Sequence, residues 1–383
     1  MKSDMVMPDY DHSILNTISS ILKYYNVDTK HKTLESLDKR LSKRYRNVVL
    51  LILDGMGEHI LNKLAPGGFF TDNRIDCVTS VFPSTTTAAL TTYYSGKPPY
   101  ETGWIAWSQY FKEYGRALDM LSHKESYYRE EIKDPLMNVF DTIVNYTPVF
   151  EQIEKANPNI KAFEVMPKYS DRRSRRTLVA DDIDEVIENI ELLCENPGEK
   201  FIMGYCDKPD GTLHKFGAYS DEAKEFIKYS EQKVEEMCKS LGEDTIVIIS
   251  ADHGHRDIEK AYTLLDYPEI LECLIMPVSL ESRTAAFWVK ENMRKEFEER
   301  FRAVFSEDEF ILLTKEEFLD KHFLGYGDKH PKIDDFIGNY VAISVGTSII
   351  RIETYLVEGK KIKASTHCGL TKEEMEVPVI VYN

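Results

Sequence analysis

Unbroken apolar runs alternate along the chain with amphipathic stretches. Residues 47–53, Asn-Val-Val-Leu-Leu-Ile-Leu, contain no polar interruption after the first position. Such a run fits a strand covered on both faces, as a parallel sheet requires. Residues 76–82, rich in β-branched and aromatic side chains, and residues 201–206 and 245–250 predict further buried strands. Residues 184–194 and 221–241 read as helices between them. Residues 13–27 place Ile14, Leu15, Ile18, Ile21, Leu22 and Tyr25 on one helical face, packed on a core or a partner. Strands alternating with helices predict an α/β fold with a mainly parallel sheet sandwiched by helices.

From 276 to 330 the texture changes. Residues 285–289 and 310–313 read as strands around a charged helix at 291–305. This predicts a small α+β cap inserted at 276–330, leaving 1–275 and 331–383 as the core. Residues 335–350 return to strand-like sequence, and 377–382 form a last strand. There is no internal repeat and no low-complexity segment.

Composition narrows the possibilities. The 383 residues are 42% hydrophobic, enough for a folded chain with a sizeable core. A formal net charge of -17 argues against general nucleic-acid binding, which wants a basic face. It leaves room for a small anionic substrate, because bound cations invert the local field. The six cysteines form no C-x-x-C pair and sit in apolar patterns, so they read as reduced and buried. The first residues lack an apolar signal core, and no apolar run approaches membrane-spanning length. These features predict a cytoplasmic protein with no membrane partner.

The candidate chemistry lies where the expected strands end. Asp54 follows the first strand, and Thr85-Thr86-Thr87 open a helix after the second. Asp210 and His214 follow the strand at 201–206, Asp252 and His253 follow that at 245–250, and His367 comes late. Polar residues at the carboxyl ends of strands mark the ligand side of an open α/β sheet. Singly, each has an ordinary use as a turn or cap. Together, aspartates and histidines suit zinc, and they are numerous enough for two ions. Paired ions stabilise both the entering and the leaving oxygen of an in-line phosphoryl displacement. A threonine hydroxyl needs such activation to act as a nucleophile.

This ordered set resembles the alkaline phosphatase superfamily, in its branch of type I phosphodiesterases and nucleotide pyrophosphatases. The matching motifs are strand-Asp54-Gly55, Phe82-Pro83-Ser84-Thr85-Thr86-Thr87, Asp210-x-x-x-His214, Ala251-Asp252-His253-Gly254 and Thr366-His367-x-Gly369-Leu370. The resemblance runs from about residue 47 to the C-terminus. It implies that Thr86, placed by counting back from Ser95-Gly96, is the nucleophile that becomes phosphorylated. It implies one metal ion on Asp54, Asp252, His253 and Thr86, and another on Asp210, His214 and His367. The ions implied are zinc, with manganese as the alternative. The substrate implied is a small phosphate ester, a diester or a nucleotide. The other reactions of the superfamily are phosphomonoester hydrolysis, phosphonate hydrolysis and phosphosugar mutation, the last disfavoured because its serine acceptor motif has no clear match. A silent binding or regulatory member is the remaining alternative.

The chain departs from the pattern in two places. The asparagine that holds a phosphate oxygen in nucleotide pyrophosphatases aligns with Trp107, and the usual Asp-His-Gly-Met reads Asp252-His253-Gly254-His255. His255 reads as a supporting residue, since the ligand positions are already filled. Trp107, with Tyr100 and Trp104, and Arg283 in the cap are candidate substrate contacts. Arg172–Arg176, a dense basic run, reads as a solvated loop or an anion-steering patch.

Overall fold

The structure is a computed structural model that describes residues 4–127, 130–133, 138–168, 174–351 and 362–383. Its strands in chain order begin with β1 (Asn47–Leu53), β2 (Arg74–Thr79), β3 (Ser108–Phe111), β4 (Arg116–Asp119), β5 (Lys124–Glu125), β6 (Lys161–Met166) and β7 (Thr177–Val179). There follow β8 (Lys200–Cys206), β9 (Thr245–Ser250), β10 (Arg256–Asp257), β11 (Lys260–Thr263), β12 (Ser279–Leu280) and β13 (Thr284–Phe287). The last are β14 (Phe310–Thr314), β15 (Tyr340–Ser344), β16 (Ser348–Arg351), β17 (Ser365–Thr366) and β18 (Glu376–Tyr382).

The main sheet has seven strands in the order β2-β18-β9-β1-β8-β6-β7. β9, β1, β8, β6 and β7 pair in parallel, and β18 runs antiparallel between β9 and β2. All seven residues of β1 are buried, as are all of β8 and β9. That is why these strands read as continuous apolar runs. Helices Ile183–Glu195 and Asp221–Ser240 turn apolar faces to this sheet, with Ile190 and Ile227 fully buried. The expected α/β layering is present.

A second seven-stranded sheet, in the order β14-β15-β13-β12-β3-β4-β5, has its own core around Trp104, Phe111, Phe336 and Val341. It is wider than the cap expected at 276–330. That segment supplies only β12, β13 and β14, while β3–β5 come from residues 108–125 and β15 from 340–344. β15 lies between β13 and β14 in full antiparallel register, so the 276–330 segment cannot form this sheet without the chain that follows it. Among the described residues, no helix is long and apolar enough to cross a membrane.

Candidate active site

The register of the main sheet brings the separate motifs together. Leu53 pairs with Cys206 and Ile52 with Ser250, so the chain leaves β1, β8 and β9 at one edge. Asp54 therefore meets Asp252 and His253 directly. Asp210 and His214 are borne on the helix Lys208–Phe216 that follows β8. Their spacing of four puts both on one helical face. Thr86 is the first residue of the helix Thr86–Ser95, with Thr85 as its N-cap.

The first group is Asp54, Asp252 and His253, whose donor atoms lie within 4.8 Å of one another. All three are buried, and Thr86 is only 5% exposed. The Thr86 Oγ1 lies 3.3 Å from His253 Nε2. Asp252 Oδ1 accepts from the amides of Gly55 and His253, each at 2.9 Å, while Tyr205 OH donates to Asp54 Oδ2. The other oxygens, Asp54 Oδ1 and Asp252 Oδ2, are buried with no hydrogen-bond partner. Burial, then the charges of Asp252 and Asp210, push the Asp54 carboxyl well above the usual carboxylate range. Two orphaned carboxylate oxygens beside an imidazole fit a divalent cation, which removes the cost of their burial.

The second group centres on Asp210 Oδ1. His214 Nε2 lies 3.2 Å from it, His255 Nε2 2.8 Å and His367 Nε2 3.6 Å. Each ring is held through its other nitrogen. His214 Nδ1 is 2.8 Å from the Ser365 carbonyl, and His367 Nδ1 is 2.9 Å from the Ser84 carbonyl. A carbonyl only accepts, so Nδ1 carries the proton and Nε2 presents its lone pair. Burial, against the pull of Asp210, pushes His214 down to about 3. Burial also pushes His255 and His367 down. Neutral imidazoles held at Nδ1 are suited to metal ligation through Nε2. The Lys363 ammonium sits 2.8 Å from His214 Nε2, which marks that lone pair as a seat for positive charge.

All seven expected ligand and nucleophile positions converge on this edge. His255 does too, and it was expected only to support the ligands. It is fully buried and grouped with Asp210, His253 and His367. The spacing held the clue, because residues 253 and 255 in extended chain face the same way. Tyr205 and Glu281 carried no such local signal, since register and tertiary packing bring them in.

A pocket of about 250 Å³ opens over the threonines, with Trp107, Tyr127, Glu281, Arg351 and Lys363 on its walls. Trp107 thus lies where a substrate contact was expected, and its amide donates to Glu281 Oε1 at 2.6 Å. Burial raises the Glu281 carboxyl above its ordinary range. Arg283 is a correction. It is fully buried, and its guanidinium is held by both oxygens of Glu374 and by the Gly346 and Ser348 carbonyls. Four of its five N–H donors are used inside the protein and none of the side chain is exposed, so Arg283 cannot meet a substrate. Trp104 is likewise core, stacked on Phe140 with Nε1 on the Val144 carbonyl. Arg172 and Arg173 lie outside the described residues; Arg175 and Arg176 pair with Glu151 and Glu154.

Comparison with known proteins bears on the family and on the fold. The model of the family described as type I phosphodiesterase / nucleotide pyrophosphatase matches residues 48–342. Murine ectonucleotide pyrophosphatase / phosphodiesterase 5 superposes with a TM-score of 0.63 at 17% identity, covering 88% of this chain and 87% of that one. Phosphonoacetate hydrolase from Sinorhizobium meliloti 1021, in complex with phosphonoformate, gives a TM-score of 0.63 at 16% identity, covering 88% and 90%. At such identities the likeness concerns the fold. No curated protein matches the chain by sequence.

Proposed function

The chain belongs to the type I phosphodiesterase / nucleotide pyrophosphatase family, and from that premise we propose that it hydrolyses phosphodiester or nucleotide pyrophosphate bonds through a phosphorylated Thr86. One observation carries the reading: the Thr86 hydroxyl lies at the head of its helix, 3.3 Å from His253 Nε2 and beside two orphaned carboxylates. Asp54, Asp252 and His253 would hold one divalent ion, and Asp210, His214 and His367 the other. Bound there, zinc or manganese supplies the positive charge that lowers the hydroxyl pKa and offsets charge at the phosphoryl oxygens.

The chain's own groups do the rest. The free amides at the start of the helix Thr86–Ser95 point toward an anion placed over Thr86. Thr86 Oγ1, its proton passed to solvent, bonds to phosphorus as the bond to the leaving oxygen breaks, and that oxygen takes a proton from solvent. Water then displaces Oγ1 from phosphorus and frees the threonine. The space beside Trp107 and Tyr127 accommodates an organic group beyond the phosphoryl, which favours esters over inorganic phosphate anhydrides. Arg351 and Lys363 on the same wall favour a second reading, a phosphonate whose leaving group is anionic.

The test is turnover by metal-reconstituted protein of bis(p-nitrophenyl) phosphate, p-nitrophenyl phosphate and phosphonoacetate. The diester is expected to be cleaved fastest, and Thr86→Ala to cleave none of them. Preference for phosphonoacetate would install the second reading. Equal turnover by wild type and Thr86→Ala would remove the threonine mechanism altogether.

A further inference from the structure

We propose that His255 is a direct ligand of the ion held at Asp210, giving that ion four protein ligands: Asp210, His214, His255 and His367. The inference deepens the two-ion reading above and rests on it. It places a ligand where the family pattern has methionine.

A chain of hydrogen bonds fixes the tautomer of His255. Ser365 Oγ lies 2.6 Å from the Leu213 carbonyl and 3.0 Å from His255 Nδ1. A hydroxyl has one proton, and a carbonyl can only accept, so that proton goes to Leu213. Toward His255 the Ser365 oxygen must then accept, which places the imidazole proton on Nδ1. His255 Nε2 is left as a lone pair, 2.8 Å from Asp210 Oδ1, itself an acceptor. Two acceptors at that distance repel unless positive charge lies between them or beside both. The same arrangement holds His214 and His367, so three imidazoles offer Nε2 lone pairs to one carboxylate oxygen.

The backbone makes room for this ring. Gly55 has φ +73°, and a Cβ there would lie 2.9 Å from both Cδ2 and Nε2 of His255. Its Cβ would also come within 3.3 Å of the Asp210 Cα. His255 thus occupies a slot formed by the turn that carries Asp54, and no side chain separates it from Asp210. A merely packed histidine would need neither the fixed tautomer nor the aimed lone pair.

Four protein ligands complete a tetrahedron, the pattern of tightly held zinc, whereas three leave an open position. The ion at Asp210 would therefore be the more firmly retained of the two. Asp54, Asp252 and His253 would leave their ion a position for Thr86 and substrate.

The test uses the full chain loaded with Co²⁺ and compares wild type with His255→Gln. In the proton spectrum each ligated imidazole gives one far-shifted, exchangeable Nδ1–H signal. Wild type is expected to show four, from His214, His253, His255 and His367, and H255Q three. Metal analysis should show wild type keeping one equivalent after a chelator wash that strips H255Q to none. Circular dichroism of the metal-free proteins checks that H255Q folds; should it not, the wild-type count of four against three still decides. Three signals in a wild type holding two ions would overturn the role of His255 and leave the two-ion reading intact. A wild type that binds no divalent ion would overturn both.

Discussion

At the scale of single residues, the site is a set of groups whose ordinary neighbours have been withheld. Asp54 Oδ1 and Asp252 Oδ2 are buried with no hydrogen bond, only the His253 ring within 3.5 Å and 3.3 Å, a cost that a bound cation would offset. Thr86→Ala is expected to lower turnover by about 1,000-fold or more while metal content stays at the wild-type value, because one ligand of several is lost. Turnover within tenfold of wild type would show that another group attacks phosphorus. Gly55→Ala is expected to destabilise the protein by about 1–2 kcal/mol, through its left-handed backbone and the approach to His255. Urea titration measures this, and an unchanged midpoint would mean the turn relaxes freely. Thr86, Asp54 and the Asp252-His253 pair were legible because their spacing is local. Arg283 was misread for a reason of the same kind: a guanidinium suits phosphate and carboxylate alike, and its partner Glu374 lies 91 residues away.

At the scale of elements, the buried strands were the most legible part of the chain. β1 and β9 lie where the apolar runs placed them, because strands covered on both faces cannot alternate. The second sheet was not legible as one unit. Its strands come from segments at 108–125, 279–314 and 340–344, and several are only two to four residues long. Arg283, at the start of β13, is joined to Glu374, just before β18 of the main sheet, both without exposed side chain. Removing one partner leaves the other charge buried alone, so Arg283→Ala should cost about 3–5 kcal/mol. The measurement is chemical unfolding, and a loss below about 1 kcal/mol would show that water reaches Glu374.

A second connection within this lobe is sensitive to pH. His330 Nε2 is 3.0 Å from the Ile143 carbonyl, and Nδ1 accepts from the Lys332 amide. Burial lowers its pKa below the ordinary 6.5. The unfolded chain therefore binds a proton before the folded one, and stability must fall as pH drops below 6.5 toward the folded value. Above 6.5 both forms are neutral and the contribution is complete. Urea midpoints at pH 7.5 and 5.5 should differ less in His330→Asn than in wild type. An identical difference would mean that His330 takes up its proton without cost.

At the scale of the whole molecule, the site stands where the two sheets meet, and ions there should brace the fold. At free zinc 1,000 times its dissociation constant, each occupied site adds about 4 kcal/mol. Chelation should therefore lower the unfolding midpoint visibly, and an unmoved midpoint would deny native-state metal binding. The loop after His367 is tied to the second sheet by the Thr284 hydroxyl on the Cys368 carbonyl, by the Leu370 amide on the Ser344 carbonyl, and by one carboxylate. Glu374 receives Arg283 from one side and, from the other, the amides of Gly369 and Thr371 and the Thr371 hydroxyl. A fault seeded at 283, deep in the interior, would thus surface elsewhere. The ring at 367 would be among the first to lose its aim, and on the two-ion reading a molecule with intact helices and strands would betray the damage by weaker binding of divalent ions.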